Sequence, residues 1–280
     1  MRRTIAVVTP AYGAQALIGE AVRSVLAQTN PDWEHWIISD DGVDYEALLA
    51  AQGLADPRQR FRSTGKVGGG STRARNQVFD ELSAPYAAIL DADDRFKPGK
   101  LAAAVDLLED HPIVSVALDV LSDGYVHRRF VGATHTGPLP ARDYKFTSLS
   151  MDSMIVWNRS RCDGRYDPAL RNMTDLDLLL QLFRTAEGSY HLGTPLHDYV
   201  KVKVSMSNGP GVTERMIAAK TTLLERLAAG AYPMRDPQGV AGISRFLEIS
   251  RQAEGEFGDY LATHPDGLFE DHLEPRLAGR

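Results

Sequence analysis

The sequence predicts an α/β fold built on a mainly parallel sheet, and two patterns carry that expectation. Apolar strands alternate with helical segments between residues 4 and 90, and the strands run into polar or acidic turns. A length of 280 residues at 43% hydrophobic content supplies one sizeable core, or a core plus a small appendage. The first strand, Thr4-Ile-Ala-Val-Val-Thr-Pro-Ala-Tyr-Gly13, breaks at its proline. A helix follows, because Leu17, Ile18, Ala21, Val22, Val25 and Leu26 recur at helical spacing. Trp36-Ile-Ile-Ser-Asp-Asp-Gly42 is a second strand that ends in two acids and a turn glycine. A short helix near Asp44 to Gln52, a strand around Phe61, a helix from Thr72 to Leu82 and the strand Tyr86 to Leu90 complete the alternation. Strands joined through helices need crossovers, so the sheet is parallel and covered on both faces. Ligands of such sheets lie beyond the carboxyl ends of the strands, which is where Tyr12, Asp40, Asp41, Asp91 and Asp93 fall.

The run Ile89-Leu90-Asp91-Ala92-Asp93-Asp94 carries the most chemistry. An apolar strand there delivers three carboxylates that repel one another and find no partner in a sheet ladder. A bound cation resolves the repulsion, and hard oxygen ligands suit Mg²⁺ or Mn²⁺ completed by substrate phosphates and water. The competing reading is a solvated Asp-rich turn. Gly68-Gly-Gly70 lacks the Lys-Ser/Thr of a Walker loop and does not follow the first strand, so it reads as a flexible loop entering the helix that carries Arg73 and Arg75. Those arginines, two apart on a helix, point in different directions, so one of them reaches the sheet end.

Composition narrows the function classes. A net charge of −6 leaves no basic field for nucleic acid. The single cysteine, Cys162, allows no internal disulfide and reads as a small packed side chain in a reducing compartment. No apolar run is long enough to cross a bilayer, and Met1-Arg-Arg-Thr leads directly into a strand, so a cytoplasmic protein, peripheral to a membrane at most, is expected.

Four blocks in order, Thr9-Pro-Ala-Tyr12, Ser39-Asp-Asp-Gly42, Gly70-Ser-Thr-Arg-Ala-Arg-Asn76 and Asp91-Ala-Asp-Asp94 with Pro98 behind it, resemble those of family-2, inverting glycosyltransferases of the GT-A fold. A fifth, Gly164-Arg-Tyr-Asp167 followed by Thr174-Asp-Leu-Asp-Leu178, is similar to the segment that supplies the catalytic base in that family. The resemblance spans residues 4 to 205. It implies a Rossmann-like, nucleotide-sugar-binding sheet and a metal-dependent, hexosyltransferase-type enzyme. Such an enzyme moves a sugar from a nucleoside-diphosphate donor, a UDP-sugar foremost, to an acceptor hydroxyl in bacterial polysaccharide or glycoconjugate synthesis. Residues 1–208 would form the catalytic domain, with the donor half at 1–110 and the acceptor half at 111–208, and 209–280 a helical extension.

The resemblance also implies roles in the donor site. Pro10, Ala11 and Tyr12 hold the base and ribose, with the tyrosine ring offering a stacking face. Asp41 accepts from the imide N–H of a uracil, unless Asp40 and Asp41 merely cap the turn at Gly42. Arg75, the arginine of the Ala-Arg-Asn block, suits phosphate or a uracil carbonyl. Asp91, with Ala92 beside it, contacts ribose or a metal-bound water, and Asp93 binds the Mn²⁺ or Mg²⁺ that neutralises the leaving diphosphate.

In the second half, Thr174-x-x-Asp177 before Leu178-Leu-Leu-x-Leu182 has capping-box spacing, which leaves Asp175 free to face the sheet end. Inverting transfer needs a carboxylate to take the acceptor proton, and the resemblance assigns that to Asp175; the alternative is an ordinary acid in a first helical turn. Thr174 stands where the family usually has Glu. The stretch Pro195-Leu-His-Asp-Tyr-Val-Lys-Val-Lys203 lacks the family's downstream arginine and histidine in place. Lys201 and Lys203 alternate with valines, as on the exposed face of a strand, or one touches phosphate. His191 and His197 read as surface or turn residues. Glu214 to Leu227 and Ile243 to Leu261 read as amphipathic helices that pack on the catalytic domain or join two copies. Two alternative functions stand at this level: a sugar nucleotidyltransferase, and a non-catalytic nucleotide-sugar-binding module.

Overall fold

A computed structural model describes residues 3–149, 154–201 and 211–278. The first half alternates as its pattern requires: β1 (Ile5–Ala11), α1 (Ile18–Leu26), β2 (Trp33–Ser39), α2 (Tyr45–Ala51), β3 (Gln59–Ser63), α3 (Ser71–Phe79) and β4 (Tyr86–Ile89). The crossovers make β3, β2, β1 and β4 a parallel run, with Ile5 opposite both Trp33 and Tyr86. Helix α1 buries Ile18, Ala21, Val22 and Val25, the stripe its spacing predicts.

The second half adds β5 (Arg95–Phe96), α4 (Lys100–Leu107), β6 (Ile113–Ser122), β7 (His127–Val131), β8 (Gly137–Pro140), α5 (Ala141–Thr147), β9 (Val156–Asn158), α6 (Thr174–Leu182) and β10 (Gly188–Lys201). Here the sheet turns mixed. Short β9 lies antiparallel between β4 and β6, and β10 runs parallel to β6 but antiparallel to β5 and β8. Two consecutive antiparallel steps bring β6 back into the direction of β4, so the carboxyl ends of β6 and β10 open on the same side as those of β1, β2 and β4. Pro195, which cannot donate to a ladder, is accommodated by register shifts in β10 on either side of it.

Helices α7 (Val212–Ala228), α8 (Gly239–Thr263) and α9 (Phe269–Ala278) follow. Their apolar residues Leu223, Leu227, Ile243, Phe246, Leu247, Leu273 and Leu277 share one core cluster with Val116, Leu118, Tyr144, Leu179 and Phe183. Helix α8 crosses α5 so closely that a Cβ at Gly242 would stand 2.2 Å from the Arg142 carbonyl oxygen. Among the described residues no helix is long and apolar enough to cross a membrane.

Candidate active site

The carboxyl ends of β1, β2 and β4 and the start of α3 form one side of the candidate site. Tyr12, immediately after β1, leaves 63% of its surface exposed and keeps its ring free for stacking, while Ala11 is buried and Pro10 half-buried beneath it. Asp40 is buried and organises the glycine loop: its carboxylate accepts from Thr64 Oγ1 at 2.7 Å, Gly69 N at 3.1 Å and Gly70 N at 2.7 Å, and its carbonyl from Gly68 N at 2.8 Å. Gly68 and Gly70 hold φ of +71° and +97°, a region that glycine enters without strain. The loop expected to be flexible is therefore built around one carboxylate.

Asp41 is equally engaged. One oxygen accepts from Gly13 N at 2.7 Å and Tyr45 Oη at 2.8 Å, and the other from Val43 N at 3.1 Å and Ser39 Oγ at 3.2 Å. Burial alone would raise its pKa, but these four donors bring it below the usual carboxylate value. With two donors on each oxygen the carboxylate braces the turn that follows β1, on the side of the sheet end where the base is expected. Through Gly13 it fixes the turn that carries Tyr12.

The three acids after β4 separate. Asp94 turns inward, fully buried, and accepts from Val200 N at 2.9 Å and from His197 Nε2 at 3.1 Å; His197 Nδ1 meets Lys100 Nζ at 2.9 Å. Burial pushes the His197 pKa well below its ordinary value, so the neutral ring donates through Nε2 and accepts at Nδ1. His197 is thus a core residue tying the end of β10 to the acidic turn, a correction to its expected surface place. His191 is also buried, between Ser115 Oγ at 2.8 Å and the Gly132 carbonyl at 2.8 Å. Asp91 faces Arg75. Asp93 is left without a side-chain donor among the described residues, and its pKa is pushed up to about 6, by burial first and then by the charge of Asp91.

Arg73 points to solvent and Arg75 inward, 3% exposed, as two residues on adjacent sides of a helix must. The Arg75 guanidinium bonds Asp91 with one nitrogen and Asp175 at 3.1 Å with the other, and lies 4.9 Å from the centre of the Tyr166 ring. One N–H of each terminal nitrogen goes to a carboxylate, so Arg75 bridges the turn after β4 and the start of α6 and keeps further N–H groups for a ligand. Asn76, one residue on, donates to the Tyr166 carbonyl at 2.7 Å and accepts from its N–H at 2.9 Å, fixing that ring.

Asp175 opens α6. The capping box does not form: Met173, left-handed at φ +57°, precedes the helix, and no side chain caps it. Asp177 instead accepts from the Tyr232 hydroxyl, Arg226 Nη1 at 3.2 Å and Gln181 Nε2 at 2.9 Å. Asp175 keeps 28% of its side chain exposed. Its pKa is raised, by burial first; Arg75 opposes the rise and Asp91 adds to it. Lys201, half-buried, pairs with Glu270 of α9 at 3.0 Å, while Lys203 lies outside the described residues.

The donor set fits a divalent cation of the kind that takes few protein ligands. No cluster of three metal-ligating side chains occurs among the described residues, and Asp93 is the acid here that lacks compensation. Arg226 and Tyr232 escaped the sequence reading of the site. No local pattern flags Arg226 or Tyr232, which lie 49 and 55 residues from their partner Asp177.

The Glycosyl transferase family 2 model matches residues 6–161. TuaG of Bacillus subtilis, a glycosyltransferase whose name assigns it provisionally to teichuronic acid biosynthesis, is 24% identical over 216 residues, covering 73% of this chain and 81% of TuaG. S. aureus TarS 1-349 in complex with UDP-GlcNAc superposes with a TM-score of 0.68 at 13% identity, covering 98% of this chain and 79% of that one. The mannosyltransferase PcManGT from Pyrobaculum calidifontis, in complex with GDP-Man and Mn2+, gives a TM-score of 0.55 at 14% identity over 98% of this chain and 84% of that one. These structures share the GT-A fold with this chain. More than half of the chain matches the family model on that fold, and it belongs to glycosyl transferase family 2.

Proposed function

We propose that this glycosyltransferase is metal-dependent and inverting, and moves a sugar from a UDP-sugar to an acceptor hydroxyl in bacterial polysaccharide synthesis. The observation that carries the reading is the Arg75 bridge, which holds Asp91 and Asp175 on one buried guanidinium beside the uncompensated Asp93. Tyr12 stacks on the base, and Asp41 and Asp40 set the turn and the loop on either side of it. Asp91 and the Ala92 backbone meet the ribose. A Mn²⁺ or Mg²⁺ ion at Asp93 would neutralise charge on the departing diphosphate. Asp175 takes the proton of the acceptor hydroxyl as that oxygen attacks the anomeric carbon from the side opposite the diphosphate, and Arg75 aims the carboxylate and favours its ionised form against the effect of burial. One displacement assisted by one base inverts the configuration.

Family membership sets aside the nucleotidyltransferase, and TarS and PcManGT, captured with UDP-GlcNAc and with GDP-Man and Mn2+, favour a nucleotide-sugar donor over the non-catalytic reading. The test is a thermal-shift panel of UDP- and GDP-sugars with and without Mn²⁺, followed by release of nucleoside diphosphate from the best binder. A ligand that binds only the native state raises Tm by mass action. A panel in which no nucleotide sugar raises Tm, with or without metal, would overturn the proposal.

A further inference from the structure

Resting on the reading of Asp175 as the base, we infer that Arg226 and Tyr232, outside the segment matched by the family model, are positioning residues that aim it. Asp175 lies near the end of the stretch between Asp167 and Asp177, and Arg226 of α7 holds both ends: Nη2 bonds Asp167 Oδ2 at 2.5 Å and Nη1 bonds Asp177 Oδ1 at 3.2 Å. The Tyr232 hydroxyl donates to the same Asp177 oxygen. The other Asp177 oxygen is held by Gln181, whose amide also bonds the backbone of Arg165 at 3.1 and 2.7 Å. Between these anchors the chain turns through Met173 in a left-handed conformation, which a non-glycine residue keeps only where its surroundings impose it. That turn sets the direction of Thr174 and Asp175 as they enter α6. Asp177 is nearly inaccessible, 2% exposed, so its partners are fixed by packing. The Arg75 contact restrains Asp175 at its carboxylate, and the α7 clamp restrains it at its backbone; a shift of about 1 Å in a catalytic group is enough to cost about 10²-fold in rate.

Arg226→Gln and Tyr232→Phe are tested alone and combined with Asp175→Asn. Turnover is read as diphosphate release from the donor found by the panel. The expected result for Arg226→Gln is a kcat lower by about tenfold or more, with KM for the donor within about twofold and partial rescue by Arg226→Lys. In the Asp175→Asn background the same change should cost nothing further, because a residue acting through Asp175 has nothing left to aim. Equal fractional losses in both backgrounds, or an unchanged kcat, overturn the inference. An Asp175→Asn enzyme as fast as the parent instead overturns the base assignment, so the two failures are distinguishable. If Arg226→Gln does not fold, Tyr232→Phe, which removes one oxygen, carries the same test with a loss of about threefold expected. Independently of any donor, amide exchange over residues 168–177 should quicken in the Tyr232→Phe protein, while UDP affinity in Mn²⁺ stays unchanged; unaltered exchange there also overturns the inference.

Discussion

Asp93 is the residue whose environment speaks most directly to metal. Its pKa rises from 3.8 to about 6, through burial and then through Asp91. A carboxyl whose folded pKa is raised disfavours the folded state once the unfolded chain can ionise, so its cost is absent below about pH 3.8, grows between about pH 4 and 6, and is complete above. At about 1.4 kcal/mol per pH unit the difference is worth about 3 kcal/mol. Asp93→Asn should therefore stabilise the metal-free protein at pH 7 by up to about 3 kcal/mol and leave it unchanged at pH 3.5, in urea titrations with EDTA. The same substitution should abolish the dependence of UDP affinity on Mn²⁺; calorimetry giving equal affinities with Mn²⁺ and EDTA in the parent would refute the cation role. Asp175→Asn should retain UDP and metal binding while transfer falls by about 10²-fold or more. Because the Asp175 pKa is raised and the base works ionised, the parent rate should climb with pH across the acid limb, and a flat profile there would contradict the assignment.

Single elements decide how much of this was readable beforehand. β1, β2 and β4 were legible as apolar runs that break at Pro10, Asp40 and Asp91, and α1 by its helical spacing. β5 has two residues and β9 three, too few for any period, and β7 presents exposed His127 and Arg128, so nothing marked them as strands. The glycine loop illustrates a different limit. Its composition gave flexibility, whereas its structure depends on the Asp40 carboxylate some thirty residues upstream, a tertiary fact. Asp40→Ala leaves the Gly69 and Gly70 N–H groups without that acceptor. It should cost about 1–3 kcal/mol, weaken UDP binding through the displaced loop and accelerate amide exchange over residues 64–70. A variant with parent-like exchange there would return the loop to the flexible reading. The capping-box expectation for α6 failed for a related reason: the spacing of Thr174 and Asp177 was right, but Asp177 met other partners, Arg226 in α7 and Tyr232 just beyond it.

At the scale of the whole molecule, the helices after residue 211 share their apolar residues with the core of the sheet half. Leu223, Leu227, Ile243, Phe246, Leu247, Leu273 and Leu277 are each at most 4% exposed. At about 1.5–3 kcal/mol for each such side chain, their burial amounts to about 10–20 kcal/mol, comparable to the entire net stability of about 5–15 kcal/mol that a domain has to lose. Polar ties add direction to that packing: Arg142 bonds Asp236 at 2.9 Å, Lys201 bonds Glu270 at 3.0 Å, and Arg129 reaches Asp271 and Glu274. Tyr144, Leu179 and Phe183 lie in the same core cluster as these helices, so removing the helices would strip apolar neighbours from that core. A chain ending at residue 210 should therefore lack a cooperative thermal transition and aggregate, even though it contains every block of the family motif. Circular dichroism melts decide it: a cooperative transition of residues 1–210 within a few degrees of the full chain would mean that the helices are an accessory, and that the sheet half closes its own core.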